Sequence, residues 1–270
     1  MDAFLDLLQI YKWSLPASFV MAAALAMVGA QWTAREKSAQ IFVLGQGSSL
    51  GIVLGLVCNI LMGTDFHWLS LLLGLTLGWL TLVISDLAIE KKSDRNHIYL
   101  TLFVSFLALT YLITSLTPSL ESHMASAYFG DLAVMSDSAG KLSLVAAIAF
   151  IIFVLQFWRE LTRISFELVN HSWIHRSWKN QLFDIGTLLL TTLAIQGMGY
   201  LFTIGSLFIS TSFASQRSRN LASYTRRILF ISSVGCLLGF SLSLISTNLP
   251  TVPCVLLGQI VVGFFTYIKK

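Results

Sequence analysis

Charge is what this 270-residue sequence has least of: Asp, Glu, Lys and Arg make up 11% of it, where a soluble domain carries about a quarter. Cysteine is scarce too. Cys58, Cys236 and Cys254 lie in or beside apolar segments with no Cys-x-x-Cys or Cys/His spacing, so they read as packing residues and say nothing of redox compartment. No Gly-x-x-x-x-Gly-Lys-Ser/Thr loop is present to cradle nucleotide phosphates, and neither a Gly-x-Ser-x-Gly elbow nor a His/Glu metal motif offers the machinery of an intramembrane enzyme. The middle of the apolar runs holds no Asp, Glu, Lys or Arg, and the sequence shows no internal repeat. Ion-coupled secondary carriers usually show an intramembrane acid or base and internal repeats, so their absence makes a small-solute carrier the weaker alternative among transport functions.

What is abundant is hydrocarbon. At 56% hydrophobic, the chain has about 150 apolar residues, far more than one water-soluble core of this length can hide. The apolar stretches run over 15–32, 41–63, 68–88, 99–117, 141–158, 185–201, 202–215, 228–246 and 251–268. A bilayer span takes about 20 residues, so the expectation is an all-α polytopic membrane protein of eight or nine spans, one domain over 1–270. The count turns on 202–215, which is short and polar enough for a half-helix or a break within a longer paired element. No room is left for a soluble ATPase, kinase or nuclease.

The net charge of +4 is an orientation signal before it is a nucleic-acid signal, and no nucleic-acid partner is expected. Of 17 Lys and Arg, 15 fall at alternate connections, around 35–37, 91–95, 159–179, 217–227 and 269–270. The positive-inside rule makes these cytoplasmic, with the C-terminus inside and the N-terminus outside. Asp2 and Asp6, without a basic stretch, do not resemble a cleaved signal peptide. The opposite face has only Lys12 and Lys141 as cations, and its acids are Asp2, Asp6, Asp65, Glu121, Asp131 and Asp137. Such a face either attracts cationic solutes or merely reflects the exclusion of cations by topology.

The longest cytoplasmic stretch, 159–184, is amphipathic: Ile164, Leu168, Trp173, Ile174 and Trp178 recur near helical spacing between Arg176, Lys179 and other polar residues. Either it lies in the headgroup layer or it offers an apolar ridge to a partner's groove. His171 and His175 sit at i and i+4, but no third ligand is near, and solvated positions are the plainer reading.

Four segments, in order along nearly the whole chain, resemble the permease family of zinc and manganese ABC importers. They are Ala34–Gly55, ending in a small-residue run with Gly-x-x-x-Gly; Ala127-Tyr-Phe-Gly-Asp-Leu-Ala-Val134; Gly199–Ala214; and Ser243–Leu257 with its Asn-Leu-Pro turn. The resemblance implies a permease that homodimerises around a central pathway in the plasma membrane and imports a divalent transition metal, zinc first, with manganese or a metal complex as the other cargoes. It implies a cytoplasmic ATP-binding subunit docked on 159–184, with Trp173, Ile174, Arg176, Trp178 and Lys179 as coupling residues, and an extracytoplasmic metal-binding protein that delivers the cargo. The chain itself then binds no cofactor, ATP being used by the partner. Departures accompany the likeness. Where the family commonly has an Asp and a His four residues apart, this sequence has Phe42 and Gln46, and Ser210, Asn248 and Val252 replace the family's Pro, Asp and Gly.

If solutes cross between two subunits, polar residues within spans are candidates for the pathway: Gln46, Ser48, Ser49, Gln196, Ser206 and Ser210. Each of these is alternatively a small or hydroxyl-bearing residue that permits close helix approach or satisfies freed backbone groups. On the outer face Asp65, His67, His123 and Asp131 have the carboxylate and imidazole chemistry of a low-affinity divalent relay, or are solvated loop residues. Asp86, near Lys91 and Lys92, reads as a local charge pair.

Overall fold

A computed structural model of the chain describes residues 11–63, 66–90, 95–117, 128, 130, 132, 135–170, 177–216, 218, 220–245 and 249–268. Among them are nine helices: α1 Ser14–Ala34, α2 Ser38–Met62, α3 His67–Glu90, α4 Arg95–Leu116, α5 Asp137–Asn170, α6 Trp178–Met198, α7 Tyr200–Ser215, α8 Leu221–Ile245 and α9 Thr251–Ile268. Each apolar run of the sequence is one helix, the only backbone that satisfies its own polar groups inside lipid in an open chain. Seven are long and apolar enough to cross a bilayer. In α6 the polar opening from Trp178 to Asp184 dilutes the apolar run, and α7 has only 16 residues.

A single residue, Gly199 with φ 91° and ψ 159°, separates α6 from α7. That conformation is closed to side chains with a Cβ, so the expected break sits where a glycine permits it. Among the described residues the doubtful segment is a helix of its own, α7, which with α6 forms one interrupted element.

Burial sorts the helices into a centre and a rim: 78% of the spanning window of α1 is buried inside the bundle, against 17% of that of α4. The central helix earns its place through small side chains, with Ala17, Ser18, Ala22, Ala24, Ala26 and Gly29 along α1. A Cβ on Gly29 would fall 1.9 Å from the Leu207 carbonyl oxygen of α7. Between α2 and α3 the Gly47, Gly51, Gly55 row does the same work, since added Cβ atoms would stand 2.1 Å from Thr81 Oγ1, 2.2 Å from the Leu73 carbonyl oxygen and 2.4 Å from Ser70 Cα. Gly239 of α8 would likewise meet the Cys254 carbonyl oxygen of α9 at 2.2 Å. Lipid gives helices no hydrophobic reason to associate, so contact area won by removing side chains is what binds them.

The described residues of the amphipathic stretch 159–184 belong to two long helices, 159–170 to α5 and 178–184 to α6. Residues 159–170 continue α5, which at 34 residues runs about 51 Å against a hydrocarbon thickness of about 30 Å. Leu161 and Ile164 face inward and Phe166 outward; Arg163 pairs with Glu167 on the same helix at 3.3 Å. The three cysteines are unpaired, with Cys236 and Cys254 buried.

Candidate functional site

The bundle gathers polar residues at two places. At one end of the bundle, Arg35, just past the last turn of α1, reaches across to α5 and α6. Its Nε donates to Ser165 Oγ at 3.0 Å and its Nη1 to Asp184 Oδ1 at 3.1 Å, while the guanidinium lies over the Phe183 ring at 4.7 Å. Ser165 in turn donates to Gln31 Oε1 at 2.9 Å, and Gln31 Nε2 to Thr162 Oγ1 at 3.3 Å. Asn180 donates to the other Asp184 oxygen at 3.1 Å. Burial pulls the Arg35 guanidinium below its ordinary range and Asp184 pulls it back up; an arginine keeps its proton through both. Nη2 is left without a partner.

Beside it, Lys37 Nζ pairs with Asp86 Oδ1 at 3.2 Å, and Gln40 donates to Ser85 and to Asp86 at 2.7 and 3.0 Å. Asp86 thus pairs across helices, with Lys37; Lys91 and Lys92, the partners suggested by proximity in sequence, lie outside the described residues. Arg35, Lys37 and Asp184 come from connections that the charge pattern assigns to one side, and the structure brings them together with Asp86 at one end.

The second place is within α2. Gln46 is fully buried, and its Nε2 donates to the Tyr128 hydroxyl. Its Oε1 has no partner. Reversing the amide would exchange which end is orphaned, so one half is unpaired in either orientation. Four residues earlier, the Phe42 ring stacks on Phe208 with centroids 4.6 Å apart and planes 4° apart. The Phe42 carbonyl accepts from the Tyr200 hydroxyl at 3.4 Å. Tyr128 stands 5.7 Å from Tyr200 and 6.5 Å from Tyr111, centroid to centroid. Gly45 clears room for this, since a Cβ there would lie 3.0 Å from the Tyr200 ring.

Tyr128 is brought in by its connection. Gly130 has φ 69° and a Cβ on it would fall 1.8 Å from the Met198 carbonyl oxygen, directly before the Gly199 break. The Leu132 amide donates to Thr251 Oγ1 at 3.3 Å.

Of the residues singled out from the sequence, Ser48, Ser49, Ser206 and Ser210 are all fully buried. Ser48 accepts from Thr192 at 3.2 Å, and Ser206 accepts from Gln259 at 3.3 Å. The hydroxyls of Ser49 and Ser210 have no partner. Gln196 is exposed and stands apart from the Gln46 group. His67 opens α3, and its side chain lies outside the described residues, as do Asp65, His123 and Asp131. Among the described residues no group of three or more His, Cys, Asp or Glu could hold a metal.

Trp173, Ile174 and Arg176 also lie outside the described residues. Trp178 is exposed and packs edge-on against Phe157 at 5.9 Å. Lys179 pairs with Glu160 and lies over Phe157 at 4.7 Å, stapling the start of α6 to α5. Sequence reasoning missed Arg35, Asp184, Tyr128 and Tyr200. Arg35 had been absorbed into topology and Asp184 into the 159–184 stretch; Tyr128 stood in the Ala127–Val134 segment and Tyr200 in an apolar run, neither with a role of its own.

The profile of the ABC 3 transport family matches residues 8–270. Two solved structures share the fold. PsaBC from Streptococcus pneumoniae in complex with Fab aligns with a TM-score of 0.80 at 18% identity, covering 100% of this chain and 96% of that one. An inward-facing conformation of a putative metal-chelate type ABC transporter aligns at 0.70 with 16% identity, covering 97% and 88%. No curated protein matches the chain.

Proposed function

The chain belongs to the ABC 3 transport family, a family of transmembrane permease subunits that are not themselves catalytic, and from that premise we propose that it is the permease of an importer for a divalent transition metal, zinc foremost. The family match over 8–270 carries the proposal. In this reading two copies surround the pathway in the plasma membrane, with the C-terminus in the cytoplasm. A separate subunit hydrolyses ATP, in keeping with a sequence that has no phosphate-binding loop. It docks where α5 overruns the bilayer and meets α6, and there the Lys179–Glu160 pair and the Arg35–Asp184 pair give the docking element a firm root. A metal-binding protein delivers cargo to the opposite face, where Asp65, His67, His123 and Asp131 are the candidate first ligands. Gln46 and the serines of α2 and α7 are the candidate pathway groups.

The test is uptake. Proteoliposomes holding this chain with its ATPase and binding protein should accumulate radiolabelled zinc only when ATP is supplied, and a strain lacking the chain should fail to grow under zinc limitation. Accumulation that follows an ion gradient without ATP, or growth unaffected by zinc or manganese limitation, would overturn the assignment.

A further inference from the structure

Among the described residues the Gln46 group carries no charge, and neither do α2 and α7, which supply Phe42, Gln46, Tyr200 and Phe208. No Asp, Glu, Lys, Arg or His occurs anywhere in α1, α2, α7 or α9. Tyr111 comes from α4, whose Arg95 and His97 lie at its opposite terminus. The donors that face one another here are one amide and three phenols, all neutral at neutral pH, set among the rings of Phe42 and Phe208.

A bare divalent cation at such a station would exchange its hydration shell for neutral oxygens alone. Among the described residues around it nothing would cancel its charge in a low-dielectric surrounding, and hard or borderline dications held by proteins are ordinarily met by carboxylate, imidazole or thiolate. What the station does offer is different. It has a half-paired amide, fully buried, ready to exchange one hydrogen bond with a donor or acceptor on a ligand. It also has aromatic faces at stacking distance from one another.

We infer that this station, on the importer reading above, passes the metal as a complex whose own organic ligands neutralise the cation, recognised by the Gln46 amide and the tyrosine and phenylalanine rings. The specificity determinants are then Phe42 and Gln46. They lie at i and i+4 on one face of α2, the spacing at which a carboxylate and an imidazole would instead form a bidentate site for the free ion.

The experiment varies the charge of the cargo at constant metal. Proteoliposomes with the ATPase and binding protein are offered radiolabelled zinc as the free ion, as its neutral bis-histidine complex, and as its dianionic EDTA complex. The wild-type chain should accumulate the neutral complex fastest. Gln46→Glu, which keeps the side chain's size, and Phe42→Asp/Gln46→His should each shift the ratio of free-ion to neutral-complex uptake upward by about tenfold, the order of a single added charge–charge contact. The binding protein is identical in every arm, so differences between variants report on the permease, and co-purification with the ATPase checks that each variant is assembled. Fastest uptake of the free ion or of the dianionic complex by the wild-type chain, or a ratio unmoved by both variants, would overturn the inference while leaving the importer intact. No ATP-dependent uptake of any of the three by the wild-type chain would overturn the importer reading itself.

Discussion

The end of the bundle around Arg35 and the station around Gln46 are both polar islands in an apolar protein, and they solve opposite problems. Around Arg35 charge is present and matched: Asp184, Ser165, the Phe183 ring and the neighbouring Lys37–Asp86 pair tie α1, α3, α5 and α6 together. Around Gln46 the described residues carry no charge, helices are held by shape, and an amide is left half paired. Arg35 spends two of its nitrogens on Ser165 and Asp184 and leaves Nη2 unpaired, so matched charge is what sets it apart: an ion pair across helices fixes geometry, and a neutral amide with a free end can serve a passing ligand. The difference separates the frame of the molecule from its candidate passage.

That contrast can be broken at several points. The largest effect is expected where the middle is held by shape. Gly51→Leu drives a side chain into the Leu73 backbone, 2.2 Å from where its Cβ would stand, and α3 must move away. The loss should exceed about 3 kcal/mol, the upper range for overpacking that side-chain shifts can absorb, and should appear as little or no folded protein in size-exclusion chromatography. Next comes Arg35→Ala, which strands Asp184 and Ser165. Breaking a fully buried pair costs about 3–5 kcal/mol, but the Asp184 side chain is 37% exposed, so about 2 kcal/mol is expected from thermal unfolding in detergent. Arg35→Met/Asp184→Leu should recover most of it, because apolar replacement of both partners leaves no stranded charge. The smallest is Lys37→Ala: its pair with Asp86 is 31% and 57% exposed, and the change should cost under about 1 kcal/mol. A larger loss there would mean that the exposed pair, not the buried one, holds this end together.

Much of this frame was legible in the sequence. Among the described residues the nine apolar runs are nine helices, the break at Gly199 falls just ahead of the doubtful 202–215 segment, and Arg35 and Lys37, assigned to one side, share one end with Asp86 and Asp184. Local period and positive charge suffice for that because they act within one helix or one loop. What stayed hidden depends on contacts between distant residues. Arg35 and Asp184 are 149 residues apart, and Gln46 and Tyr128 are 82 apart, and no periodicity announces either pair. The amphipathic stretch was read as a separate element because its polar face begins where α5 leaves the apolar run. In the structure Leu161 and Ser165 are buried against α1, and the helix continues to Asn170. For Gln46, Ser48 and Ser49 the choice between pathway and close packing needed the neighbours. Ser48 is locked between Thr192 and Gly78, whereas Gln46 alone of the three carries a bulky amide with an unused end.

One paired measurement on Gln46→Leu bears most directly on the division between frame and passage. Leucine fills the same volume and removes a buried, half-satisfied amide, so thermal unfolding should stay within about 1 kcal/mol of wild type. ATP-driven zinc uptake, normalised to assembled complex, should fall at least about tenfold, as when an interaction is made only by the moving cargo. A large drop in unfolding temperature with uptake per assembled complex unchanged would place Gln46 in the frame and contradict the account.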